Sequence, residues 1–186
     1  MFAGEREGVT PDLLCIGKGL TGGYLPLAAT LAPESVFSAF LGPPEEGRTF
    51  FHGHTYTGNP LAAAAALATL DIFERENVVA GLPAKAERLS QAVAALADLP
   101  GVGDARHYGL AAGVELVRDR KSREPFPPGE RRGMRVCRRA RDRGVFLRPL
   151  GDVIVLMPPL SITPEEIDVL AEAVAHGIRA ECGDAS

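Results

Sequence analysis

The chain has 186 residues, enough for one domain or two small ones with a real hydrophobic core. It is 46% hydrophobic and 24% charged, an ordinary globular balance, and its formal net charge of −4 gives no electrostatic reason to expect a nucleic-acid partner. No apolar run reaches the roughly 20 residues of a membrane helix, and the first residues, MFAGEREG, lack the pattern of a signal peptide. Three cysteines, Cys15, Cys137 and Cys182, are odd in number, widely spaced and free of any metal or CxxC pattern, so the expected setting is the reduced cytoplasm.

In chain order, DLLCIG (12–17) reads as a buried strand ended by glycine, and KGLTGGYLP is too rich in glycine to continue it. LAATLA (27–32) is a second strand candidate, and residues 42–59 form a Gly- and Pro-rich loop that contains FFHGHTYTGN. Asn59 followed by Pro60 is an N-cap with proline at the first helical position. The helix it starts runs to about residue 76, and its five alanines predict close packing. A second helix over about 78–98 carries Leu82, Leu89, Val93 and Leu96 at helical spacing and stops at Pro100-Gly101. Strands near 102–107 and 110–117 meet at Tyr108-Gly109, and REPFPPGE (123–130) is a proline-rich loop.

A basic helix over about 130–143, its arginines read as a solvated face, ends at Gly144. VFLRPL and DVIVLMPP are two more strands around Gly151. Thr163, Pro164 and Glu166 make a capping box for a last helix that ends near residue 181. The pattern is mixed α/β, with a change of composition at 76–78 that marks a domain boundary.

Lysine is scarce: Lys18, Lys85 and Lys121 stand against 17 arginines. Lys18 lies where an apolar strand meets flexible glycines, a place expected to strip part of its water, and desolvation favours the neutral, nucleophilic amine. A plain turn lysine is the alternative. A phosphate loop is excluded, because that motif needs glycine where Asp12 stands and Ser or Thr where Gly19 stands.

PDLLCIGKGLTGGYLPLAATL (11–31) resembles the segment that holds the cofactor lysine in class III, ω-amino-acid-type aminotransferases, and FHGHTYTGNPLAAAAAL (51–67) resembles the loop and helix that follow it. RPLGDVIVLMPPLSIT (148–163) resembles one branch of that family, the branch acting in biotin biosynthesis. The resemblance implies the C-terminal portion of the fold-type I pyridoxal-phosphate transferase fold: residues 1–76 from the end of the large cofactor domain, and 77–186 as the small C-terminal α/β domain. It implies pyridoxal 5′-phosphate (PLP) as cofactor, Lys18 as its Schiff-base lysine and proton carrier, and Thr55 as the residue that binds the cofactor phosphate across a homodimer interface. Gly53 and His54 then line the cofactor, Gly53 also touching substrate, and Arg148 takes the substrate carboxylate. A turn threonine and a structural ion pair are the plainer alternatives for Thr55 and Arg148. His52 and His54 have no metal-site spacing and are read as pocket wall.

The substrates implied are small molecules: S-adenosylmethionine, or lysine in a subset, as amino donor, and the keto acid 8-amino-7-oxononanoate as acceptor. No membrane partner is implied. Other class III enzymes acting on ornithine, 4-aminobutyrate or a diamine share the first two motifs, and a non-catalytic folding or dimerisation module is a third reading. Family members also carry a glycine-serine phosphate cradle, a stacking aromatic and an aspartate for the ring nitrogen, and these have no counterpart here. The expectation is that these residues cover the last two-fifths of such an enzyme, and that alone they bind PLP poorly and do not turn over.

Overall fold

A computed structural model describes residues 2–183. Two compact units divide the chain, Met1–Val79 and Ala80–Ser186.

The first unit opens with a short helix, α1 (Ala3–Glu7), and then β1 (Leu14–Gly17), which pairs antiparallel with β2 (Ala28–Leu31), Leu14 opposite Leu31 and Gly17 opposite Ala28. Between them Lys18–Thr21 forms a 3-10 turn, and after them comes α2 (Glu34–Phe37). The loop leads to α3 (Pro60–Arg75), where the Asn59 side chain accepts the Leu61 N–H at 3.0 Å, as an N-cap requires. Of the five alanines only Ala62 and Ala66 are buried, on the side of α3 that packs against the 3-10 turn. β1 is not the buried strand that its apolar run suggests. Its side chains alternate between half-buried and exposed and those of β2 are all exposed, because a two-stranded ribbon has no second layer over it among the described residues.

The second unit holds the core. It runs α4 (Val78–Ala97), β3 (Val102–Tyr108), β4 (Ala111–Leu116), α5 (Arg132–Arg141), β5 (Pro149–Leu150), β6 (Val153–Leu156) and α6 (Pro164–Cys182). The strands form one antiparallel sheet in the order β3-β4-β6-β5. Alternate residues of β4 and β6, Val114, Leu116, Ile154 and Leu156, point into the layer of helices and join Leu89, Val93 and Leu96 of α4. VFLRPL yields only the two residues of β5, since Pro149 has no N–H to give the ladder. The capping box of α6 forms as read: the Glu166 N–H donates to Thr163 Oγ1 at 3.2 Å, and the Thr163 N–H to Glu166 Oε2 at 2.8 Å.

α5 and α6 pack tightly because Gly177 has no side chain. A Cβ there would lie 2.6 Å from the Val136 carbonyl oxygen. Beside that contact Glu181, its side chain 3% exposed, sits between Arg135 Nε at 2.6 Å and Arg139 Nε at 2.8 Å. Arg132 donates to the Glu181 backbone carbonyl, pairs with Glu130 and stacks over Phe126 at 4.7 Å. The arginine run is therefore not simply a solvated face, since three of its members grip α6 or its surroundings. Cys137 and Cys182 are buried, and burial pushes both thiols up to about 11, while Cys15 on β1 is exposed.

Burial by itself would raise the Glu181 carboxyl, but the hydrogen bond from Arg139 and the charges of Arg135 and Arg139 outweigh it and hold the group below the usual glutamate range. A lowered folded value stabilises fully above the unfolded value, and the contribution fades as pH falls through the folded one. Glu181→Gln should therefore cost about 2 kcal/mol in urea unfolding at neutral pH. The gap between mutant and wild type should close in strong acid, and an equal gap at both pH values would contradict the role given to the carboxylate.

Candidate active site

Gly17 is extended, Lys18 turns into the left-handed region at φ 52, and the Lys18–Thr21 turn follows at once. A side chain with a Cβ is uncommon there and costs about 1–2 kcal/mol relative to the right-handed form. Such an outlier survives when its surroundings fix it, and Lys18 shares it with Asn77, Arg123 and Arg131.

Lys18 borders an open cleft of about 560 Å3 whose other walls are Gly19, Gly22, Gly23, Tyr24, Leu25 and Pro26. A Cβ placed on Gly19 or Gly23 would meet nothing within 4 Å, so the space beside the lysine is left clear by this chain. The expected desolvation does not hold: Lys18 is exposed, because neither strand of the ribbon beneath it is covered.

Gly53, His54 and Thr55 lie in the loop before α3 and are not among the residues that line the Lys18 cleft. His54 builds that loop from within. Its N–H donates to Thr57 Oγ1 at 2.9 Å, its Nδ1 accepts the Tyr56 N–H at 3.2 Å, and its carbonyl accepts the Thr57 N–H at 3.0 Å. The ring thus carries its proton on Nε2 when neutral. Thr55 is exposed, and its hydroxyl and N–H make no hydrogen bond among the described residues, which leaves both free to meet an anion. His52 stacks on Phe50, with ring centroids 5.4 Å apart. Among the described residues no group of three or more His, Cys, Asp or Glu could hold a metal ion, and no helix is long and apolar enough to cross a membrane.

Arg148, in the second unit, differs from its expected setting. It precedes the short β5, is exposed, and has no carboxylate partner among the described residues. The structural ion pair weighed as its alternative is absent from them. Thr57 and Thr21 are the residues that reading for chemistry passed over. Thr57, whose hydroxyl accepts the His54 N–H, carries no more signal than any threonine in a turn-rich loop, and Thr21 sits in a segment whose glycines draw attention away from it.

These features belong to a known family. The description of aminotransferase class III matches residues 1–178, and the chain belongs to the class III aminotransferases. It is 58% identical over 178 residues to the adenosylmethionine-8-amino-7-oxononanoate aminotransferase of Nitratidesulfovibrio vulgaris, a match that covers 96% of this chain and 33% of that one. It is 55% identical over 183 residues to the protein of the same name from Geobacter sulfurreducens, covering 98% and 40%. The crystal structure of the Methanocaldococcus jannaschii protein of that name superimposes with a TM-score of 0.88 at 48% identity, over 92% of this chain and 39% of that one. The chain thus spans between a third and two-fifths of the length of these relatives.

Lys18→Gly removes the left-handed strain together with the amine. Amide hydrogen exchange in β1 and β2 should slow about fivefold, the equivalent of about 1 kcal/mol. Unchanged or faster exchange would show that the turn holds no strain.

Proposed function

We propose that the chain supplies the cofactor lysine and the substrate-carboxylate arginine of an aminotransferase in biotin biosynthesis. The reaction would move an amino group from S-adenosylmethionine, or lysine, to 8-amino-7-oxononanoate and give 7,8-diaminononanoate. In this reading residues 1–76 belong to the large PLP-binding domain and 77–186 to the small C-terminal domain of a cytoplasmic homodimer. The observation that carries the reading is the left-handed Lys18 beside a cleft kept clear by glycines, in a chain 55–58% identical to relatives bearing that enzyme's name.

The residues present fit PLP. Lys18 Nζ would hold it covalently and, when free, take and return the proton that moves during transfer. Gly19 and Gly23 leave room for a planar ring to come close to the backbone. The Thr55 hydroxyl and N–H, just before the N-terminus of α3, would donate to the phosphate from a second copy of the chain, where the helix dipole also favours an anion. Gly53 and the turn built by His54 would form the wall beside it. When bound, PLP draws electrons from the substrate carbon so that a proton can leave it. Arg148, exposed and unpaired, would meet the substrate carboxylate with its planar fork.

Borohydride makes the covalent link irreversible, so weak binding does not prevent detection. Reduction of the chain with PLP should place the pyridoxyl group on Lys18 in preference to Lys85 and Lys121, as read by peptide mapping, and an even spread would sink the assignment of Lys18. The substrate is tested in a chimera in which this chain replaces the matching segment of the Geobacter sulfurreducens relative. There Arg148→Ala should raise the KM for 8-amino-7-oxononanoate tenfold or more, with a smaller effect on the amino donor. Equal effects on both substrates would remove the role given to Arg148, and activity only on ornithine, 4-aminobutyrate or a diamine would move the chain to another branch of the family.

A further inference from the structure

Thr21 is one of only two polar residues among the buried ones described, and it is 1% exposed in a unit whose strands are largely open to solvent. Its hydroxyl donates to the Leu25 carbonyl and accepts the Leu25 N–H at 3.4 Å, closing residues 21–25 into a loop pinned at its base. Two further backbone bonds tighten the same stretch: the Gly22 N–H to the Gly19 carbonyl at 3.0 Å, and the Tyr24 N–H to the Thr21 carbonyl at 3.2 Å. On the far side Gly22, at φ 61, faces α3, where a Cβ on it would come 3.4 Å from Thr69 Oγ1. Thr69 is itself fixed by its bond to the Ala65 carbonyl at 2.9 Å.

This arrangement bears directly on Lys18. The turn that begins at Lys18 ends at Thr21, so a left-handed residue at one end is held by a buried hydroxyl at the other. The same pin carries Tyr24, 87% exposed, on the wall of the cleft that Lys18 borders. We propose that Thr21 is a positioning residue for Lys18: by binding both polar groups of Leu25 it fixes the turn that aims the amine into the cleft. The proposal rests on the cofactor role given to Lys18 above. It assigns Thr21 no contact with cofactor or substrate.

Thr21→Val keeps the shape and removes both bonds, leaving the Leu25 carbonyl and N–H without their partner, while Thr21→Ser restores them. The other two lysines of the chain, Lys85 and Lys121, provide internal controls. With PLP and borohydride, Thr21→Val should lower pyridoxyl incorporation at Lys18 about tenfold relative to Lys85 and Lys121, and Thr21→Ser should recover most of it. Amide exchange of residues 18–25 should rise in the valine variant, with α3 and the second unit unchanged.

A Lys18 preference that persists in Thr21→Val overturns the proposal, as does loosening spread over the whole first unit, which would make Thr21 a general stability residue. A wild-type chain with no preference for Lys18 defeats the cofactor assignment instead. In that case loosening confined to 18–25 would show a pin that aims nothing, and it too overturns the positioning role.

Discussion

The first unit is organised around a backbone constraint at the end of β1. A strand cannot pass straight into a left-handed residue and a 3-10 turn unless something beyond the turn prevents relaxation, because the left-handed conformation is disfavoured for any side chain with a Cβ. That restraint comes from a short stretch: the buried Thr21 hydroxyl, the glycines that follow it, and one face of α3 with Ala62 and Ala66 inward. Lys18 is directed by these contacts and not by burial.

The two units solve the folding problem differently. In the second, sheet and helices share one core, and Glu181 with its arginines fastens α6 to α5. In the first, Tyr24, Phe51, Tyr56, Leu61 and Leu67 are exposed, while among the described residues only Ala62, Ala66 and Thr21 are buried. Backbone hydrogen bonds and turn geometry therefore hold the first unit more than apolar burial does. Such structure opens more readily than a packed core.

Local signals in the sequence were reliable wherever the physics is local. The Asn59 cap, the capping box at Thr163 and Glu166, the break at Pro100-Gly101 and the hairpin through Tyr108-Gly109 each depend on a few neighbouring residues and appear in the structure as read. Features that depend on distant chain were not legible. The apolar run of β1 looks like a buried strand, yet burial is decided by what lies above it. VFLRPL has strand composition, but Pro149 and the pairing with β6 cut the strand to two residues. Glu181 reads as a surface residue near the end of a helix until α5 brings Arg135 and Arg139 to it from more than 40 positions away in sequence. The family was legible by resemblance, since the GKGLTGG motif has little meaning as spacing alone. Thr21 stood inside that motif unremarked because its importance lies in a bond to the backbone.

The distribution of sulfur has a practical consequence. Two of the three thiols are buried in the second unit and hard to ionise, whereas Cys15 lies on the exposed side of β1, three residues before Lys18, its sulfur 3.5 Å from Thr30 Oγ1. A maleimide dye or spin label needs an accessible thiol, so it would address that one position. The molecule thus carries a built-in attachment point for a spectroscopic reporter next to its candidate reactive amine, with no engineered cysteine needed.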